Sequence, residues 1–294
     1  MRALAEFIMR GRVQASVVAL IGSWFPLISP ATVALVTLRR GSLDGIMILL
    51  WALLPALLTL WVSDMGPLMP VVTLVGLFAT LLMAFLLRSS NSWPQALMGL
   101  VGFSALAGLA MAQVIPDPVH DVTAALGEMF EQMQAQAPDN TALAVPSETF
   151  VVGLIAYVIA VSSFLSLLLA RWWQSMLYNP GGLQTELHQM RLSPLVGIVC
   201  FLASMYGWRQ GIDYQHWAGL FGFPLIVAGA ALVHGVVKAR QMSGHWLILF
   251  YVVLVFASPI VMVLAVVDTW TDFRSRIAAK GSNSSSKDDD HLDH

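Results

Sequence analysis

The chain has 294 residues, 57% hydrophobic and 11% charged, with a net charge of -2. Soluble domains run at about 45–50% apolar and about 25% charged residues, so this chain has too few charges to cover a soluble surface and reads as a multi-span membrane protein. Its charge balance and its lack of a basic run fit no nucleic-acid groove, and its one cysteine, Cys200, excludes an intrachain disulfide, a thiolate zinc cluster and a CxxC redox pair.

The N-terminal stretch MRALAEFIMRGRVQASVVALIGSWF superficially looks like a signal peptide, with arginines before an apolar run. Apolar runs continue as far as Val267, however, so it reads as an uncleaved first membrane element. The apolar segments are 13–38, 45–62, 67–87, 95–115, 149–170, 194–208, 217–237 and 246–267. About 20 apolar residues cross a bilayer core as a helix. Barrel strands would give short alternating runs, and these are absent. The expected fold class is therefore all-α: a polytopic transmembrane helix bundle of about eight apolar segments.

The first segment contains Pro26 and Pro30 in WFPLISPAT. Proline removes a backbone donor and disfavours helix in the residue before it, so two prolines four apart predict a break. The last segment contains only Pro259, which predicts at least a kink. Trp51 sits within its segment. Trp61, Trp93, Trp172, Trp173, Trp208, Trp217, Trp246 and Trp270 lie at or near segment ends, as in an interfacial belt.

Two regions are not membrane-like. In the loop 116–147, Asp117–Pro118 starts a helix and Pro138 stops it. Val122, Leu126, Met129 and Met133 share one face of that amphipathic helix, placed at 117–137. The tail 280–294, KGSNSSSKDDDHLDH, is polar, low in complexity and reads as disordered.

Lysine and arginine near segment ends favour the cytoplasm. Eight plain crossings give a tie. Arg2, Arg10, Arg12, Arg209, Arg274, Arg276 and Lys280 face Arg39, Arg40, Arg88, Arg171, Arg191, Lys238 and Arg240, seven against seven. If 13–38 instead goes up and back, broken at Pro26/Pro30, then Arg2, Arg10, Arg12, Arg39, Arg40, Arg88, Arg171, Arg191, Lys238 and Arg240 share one side. Only Arg209 falls opposite before the last segment, a count of ten to one. The expected arrangement has a cytoplasmic N-terminus in a bacterial inner membrane, with the acidic loop 116–147 outside. The side of Arg274, Arg276 and Lys280 stays open, because a break at Pro259 would return them inside. Residues 174–193 then form a cytoplasmic loop. In it YNPGG is a turn. Leu183, Leu187 and Met190 share one face of a short interfacial helix, with Glu186 and His188 off that face.

ARWWQSMLYNPGGLQTELHQMRLSP resembles the YybS-like family of bacterial integral membrane proteins. So do PLISPATVALVTLRRG, LVHGVVKARQ…HWLILFYVVL and DTWTDFR, and together these cover most of the chain. That family looks distantly similar to the substrate-binding (S) subunits of energy-coupling-factor transporters. The resemblance implies a six-pass unit with both ends cytoplasmic, here 1–173, and a membrane coupling protein with an ATPase as partner. It also implies a first helix whose small residues, spaced by four, contact that coupling protein. Ala15, Ala19 and Ser23 match the spacing. The chain departs from the pattern after Trp173, where further membrane helices occupy 194–279.

Each candidate site has a plainer alternative. Ala15, Ala19 and Ser23 are a partner face or ordinary close packing. Arg171, Trp172, Asn179, Pro180, Gly181 and Gly182 are partner-interface candidates on the loop. His234 is ionisable within an apolar run, hence a ligand or proton site, or a hydrogen-bonded structural histidine. Asp213 and His216, beside Tyr214, Trp208 and Arg209, contact a ligand or form a polar turn. The tail's DDDHLDH binds metal weakly or is a solvated charge run. Besides the lipid bilayer and the coupling protein with its ATPase, no partner is implied, and no nucleic acid, cofactor or metal. No GxxxxGK[ST], HExxH, GxSxG or GxGxxG stands in a fitting context, and no paired carboxylates occupy the membrane core. Neither an ATPase nor another catalytic role is expected. Two functions stay open: a small-molecule-binding transporter-like subunit, and a membrane scaffold or assembly factor without a ligand.

Overall fold

The structure, a computed structural model, describes residues 1–62, 66–136 and 145–271. Every regular element among them is helical, and five helices are long and apolar enough to cross a membrane. The protein is an all-α helical bundle that fits a polytopic membrane protein. The chain divides into two compact units, Met1–Gly181 with Ser204–Leu220, and Gly182–Ala203 with Phe221–His294.

The first unit begins with α1 (Arg2–Arg10), which buries Ala5 and Ile8 and turns Arg2 and Glu6 outward as an ion pair of 2.9 Å. The broken first segment follows as α2 (Arg12–Ile21), a 3-10 turn Gly22–Trp24, and α3 (Ile28–Arg40). The break spans 22–27. Pro30 is not part of it but lies in the first turn of α3, where a missing donor costs nothing. At the tip, Leu27 has φ 69°, a left-handed conformation that costs a non-glycine residue roughly 1–2 kcal/mol.

The two limbs return to one end. Ser29 Oγ donates to the Ala19 carbonyl across the tip at 2.7 Å. At the other end Arg40 donates to the Met9 carbonyl at 2.7 Å, and Arg12 pairs with Asp44 at 2.6 Å. Ten and thirteen residues reach only about 15 and 20 Å, against a hydrocarbon core of about 30 Å. The segment is therefore a re-entrant hairpin reaching mid-depth rather than two full passes. The charge count is unchanged, since either form returns the chain to the side it left.

Around the hairpin stand α4 (Ser42–Val62), α5 (Leu68–Ser90), α6 (Trp93–Val114), α7 (Pro116–Gln136) and α8 (Glu148–Tyr178). Of these, α4, α5, α6 and α8 are long and apolar enough to span a membrane. The α3 limb is enclosed by α4, α5 and α8, and Ser29 and all residues from Ala31 to Leu38 are buried. Arg88, ending α5, donates to the carbonyls of Thr37 and Leu38 at 3.3 and 2.5 Å. A cation suits that helix C-terminus, where unpaired carbonyls carry partial negative charge. Arg39 lies over the Tyr178 ring at 4.2 Å from its centroid. Arg12, Arg39, Arg40 and Arg88 thus gather at one physical end of the unit, as the charge count requires.

The loop helix α7 packs by its first half only. Val119 is buried and Val122 and Leu126 are half-buried, but Met129 and Met133 are exposed. His120 and Glu148 form an ion pair that ties the start of α7 to α8. Pro138 lies outside the described residues. So does the tail 280–294.

The boundary expected after Trp173 falls inside α8, which continues to Tyr178 because Trp173 and Ser175 are still buried. The YNPGG turn follows, with Gly181 at φ 86°, a region that favours glycine. Next come α9 (Gly182–Gln189) and α10 (Pro194–Arg209), which turn by 78°. Leu183 and Leu187 are half-buried on α9, but so are Glu186 and His188, and Met190 is buried just beyond the helix, so burial does not set one apolar face apart. After α10, a 3-10 turn Ile212–Tyr214 leads into α11 (Gln215–Ala239).

In the second unit, α12 (His245–Phe256) and α13 (Ser258–Thr271) turn on each other by 110°. Pro259 does more than kink this segment, since it opens α13 immediately after a chain reversal. The reversal is re-entrant. Lys238, ending α11, donates to Gln184 of α9 at 3.0 Å, and α12 starts just beyond that end. Arg191 donates to the Thr269 carbonyl at 2.5 Å, so α13 finishes beside the start of α10, near that same end. Midway along, a Cβ on Gly229 would lie 3.0 Å from the Val261 carbonyl, so α13 packs backbone to backbone on α11. The described part of α13 therefore ends on the side of Arg191 and Lys238, and Arg274, Arg276 and Lys280 lie outside the described residues.

The tryptophan belt holds only in part. Trp61, Trp172, Trp208, Trp246 and Trp270 are exposed, but Trp93 and Trp173 are buried core residues. Proximity to a segment end does not decide this, because the helix face does.

Candidate functional site

A concavity lies in the first unit, beneath the re-entrant tip. It has a volume of about 480 Å³, within the range of about 300–1,000 Å³ usual for small-molecule pockets. The wall is built from the tip (Ser23–Ser29), from Ala52, Pro55, Ala56 and Thr59 of α4, from Met69 to Thr80 of α5, and from Ser162, Ser163 and Ser166 of α8. It runs from Thr59 and Met69, at the ends of α4 and α5 away from the arginines, to Thr80 and Ser166. Thr80 is ten residues short of the end of α5, so the floor lies about 15 Å above the basic end.

Proline supplies the space. Pro26 breaks the hairpin, Pro55 stands inside α4 and leaves the Trp51 carbonyl without its usual donor, and Pro70 opens α5. Non-helical backbone at membrane depth is tolerated where it lines a cavity, which is where the 22–27 break is found. Strained backbone persists at sites where surrounding structure holds it, and Leu27 is such a residue.

The hydroxyl chemistry of the wall has one sign. Among the described residues, no acidic, basic or histidine side chain lines it, and Trp24 at the tip brings an indole N–H. The eight hydroxyls of the wall all donate to backbone carbonyls: Ser23 to Leu20, Ser29 to Ala19, Thr59 to Pro55, Thr73 to Met69, Thr80 to Gly76, Ser162 to Val158, Ser163 to Gly76 and Ser166 to Ser162, at 2.6–3.1 Å. A hydroxyl has one proton and two lone pairs. Each therefore keeps accepting capacity and no free proton. Ser163 also joins α8 to α5.

The residues singled out from sequence lie elsewhere. Ala15 and Ala19 are buried inside the first unit, where α2 packs on α3 and α4, so this stripe is internal packing and offers no face to a partner helix. Only Ser23, at the exposed end of the stripe, reaches the cavity. We predict that Ala19→Leu lowers the stability of the protein itself, read as thermal unfolding in detergent. An unchanged melting temperature would return the stripe to the surface. On the loop, Trp172, Asn179, Pro180 and Gly181 are exposed, while Arg171 and Gly182 are half-buried.

His234 Nε2 lies 3.0 Å from the Tyr251 hydroxyl within the second unit and is not part of the cavity lining. Asp213 and His216 are not brought to the cavity. Asp213 accepts from the Ser147 N–H at 2.9 Å, and Trp217 Nε1 donates to the Thr149 carbonyl at 3.0 Å. The turn after α10 thereby clamps the N-terminus of α8. The His216 ring wedges against Phe150, 4.5 Å between centroids, with Tyr157 at 6.3 Å. A carboxylate at a helix N-terminus satisfies an orphan donor and complements the dipole. We predict that Asp213→Ala costs about 1 kcal/mol, a fall of roughly 2–4 °C in Tm for a chain of this size. A Tm equal to wild type would remove the capping role.

Among the described residues, no three histidine, cysteine, aspartate or glutamate side chains come together as metal ligands. Apart from Ser23, noted only for its spacing, the cavity hydroxyls were not singled out from the sequence. The one usable signal was the proline break itself, since irregular backbone inside a membrane requires a cavity beside it.

No protein-family model, curated protein or solved structure matches the chain.

Proposed function

We propose that the chain is the small-molecule-binding subunit of a transport system in the bacterial cytoplasmic membrane, with the arginine end in the cytoplasm and the cavity facing outward. The cavity of about 480 Å³ under the re-entrant tip carries this reading. Discontinuous helices in membrane transporters place substrate sites near the bilayer midplane, built from half-helix ends and unwound backbone. The tip of α2 and α3 has that construction. The likeness to S subunits points the same way, although here a half-depth hairpin stands where two full helices belong. The chain shows no nucleotide-binding motif, so energy would come from a partner ATPase with a membrane coupling protein. Exposed Trp172, Asn179 and Pro180 at the arginine end are the contact surface in this reading, in place of Ala15 and Ala19.

The test is affinity capture from membranes crosslinked before solubilisation. We predict recovery of an ATPase together with a membrane coupling protein, reduced by Trp172→Ala and unaffected by Asp213→Ala. Recovery of envelope-assembly proteins alone would favour the second reading, a membrane scaffold without a ligand.

A further inference from the structure

We propose that the cavity takes an uncharged small molecule that brings its own hydrogen-bond donors and one apolar face. This rests on reading the cavity as a binding site, and it names the ligand class. The warrant is the hydroxyl wall. Every hydroxyl proton is committed to a backbone carbonyl, so the hydroxyls offer lone pairs and no donor, and the one side-chain donor among the described lining residues is the indole N–H of Trp24 at the tip. A carboxylate or phosphate entering there would lose its hydration and gain at most that indole proton and, from the described lining, no cation. An ammonium would find acceptors, but no carboxylate among the described lining residues to balance its charge, and an unpaired ion inside the bilayer is costly. At the α3 N-terminus, Pro30 has no N–H and that of Ile28 goes to the Phe25 carbonyl at 3.3 Å, which weakens the usual anion site of a helix start. The rest of the wall is apolar, with Trp24 and Phe25 at the tip and Leu77 on α5, so the ligand needs a matching face.

Gly76 provides a clean block. It lines the cavity, and a Cβ built on it meets nothing within 4 Å, so Gly76→Leu starts its side chain in open space and replaces a poor helix former. Thr73 lines the cavity and bonds only within its own helix, so Thr73→Val removes an acceptor at nearly constant shape.

The experiment titrates three matched probes against purified full-length protein in nanodiscs, following thermal unfolding: 3-phenylpropane-1,2-diol, 3-phenylpropionate and 3-phenylpropylamine. The diol should bind at least about ten-fold more tightly than either ion, be lost in Gly76→Leu, and weaken roughly five-fold in Thr73→Val. If an ion binds best, and is still lost in Gly76→Leu, the ligand class is overturned while the cavity stands as a site. If no probe gives a shift that depends on Gly76, both the class and the binding reading fall.

Discussion

Replacing Gly45 by leucine should be the most damaging single substitution in the first unit. Gly45 lies in the first turn of α4, where that helix meets α3. A Cβ there would sit 2.0 Å from Thr37 Oγ1, 2.9 Å from its Cβ and 3.2 Å from its Cα. The hydroxyl could swing aside, but the Cβ and Cα move only with the α3 backbone. Moving α3 is expensive because its residues from Ala31 to Leu38 are buried on all sides by α4, α5 and α8. Between membrane helices no hydrophobic force compensates, since lipid is as apolar as the interface, and close packing carries the association. Overpacking costs typically about 1–3 kcal/mol in well-packed interiors, and a leucine at this contact should lie at or above the top of that range. Gly102 is the control. It is exposed on α6 and a Cβ there meets nothing within 4 Å, so Gly102→Leu should be silent. Thermal unfolding in detergent compares the two. If Gly45→Leu melts with wild type, the α3–α4 contact described here is wrong.

How much of this was legible in the sequence depends on what kind of fact each feature is. The membrane class follows from composition, because charge cannot be hidden. The hairpin follows from Pro26 together with the charge tie, because the bilayer makes sidedness a countable property, while Pro30 opens the return limb. The turn at Gly181 follows from local backbone chemistry. Other features depended on which helix face points inward, and spacing alone does not decide that. Ala15 and Ala19 have the spacing of a partner face, yet the face is turned into its own unit. Trp93 and Trp173 have the position of interfacial residues, yet they are core. The cavity hydroxyls were hidden for a related reason. Serine and threonine in apolar helices routinely bond to the preceding turn, so neither Thr73 nor Ser166 differs in sequence from a hydroxyl that does nothing more. Pro259 is ambiguous locally. Only the long-range bond from Arg191 to the Thr269 carbonyl turns a kink into a reversal.

That reversal leads to the other large expected effect, an all-or-none pattern of sidedness. In a background where Cys200→Ala removes the only thiol, single cysteines are placed at Ser42, Ala135, Gln184 and Trp270. Ser42 starts α4 at the arginine end, Ala135 lies near the end of α7, Gln184 is exposed on α9, and Trp270 is exposed near the end of α13. Because lysine and arginine near membrane segments favour the cytoplasm, the arginine end should face inward. An impermeant maleimide applied to intact cells should then label Ala135→Cys alone. The other three should label only after permeabilisation, and all four should label fully in denaturing detergent. Each site tests a different step. Outside labelling at Ser42→Cys would dissolve the first hairpin and restore eight plain crossings with their tied charge count. Outside labelling at Trp270→Cys would make α12 and α13 a crossing instead of a re-entrant pair. The second outcome conflicts directly with the structure, since Lys238 and Arg191 anchor the two ends of that pair to α9 and α10 at the same level. A guanidinium bonded to the Thr269 carbonyl cannot stay on the inner face while the residue next to Thr269 reacts from outside.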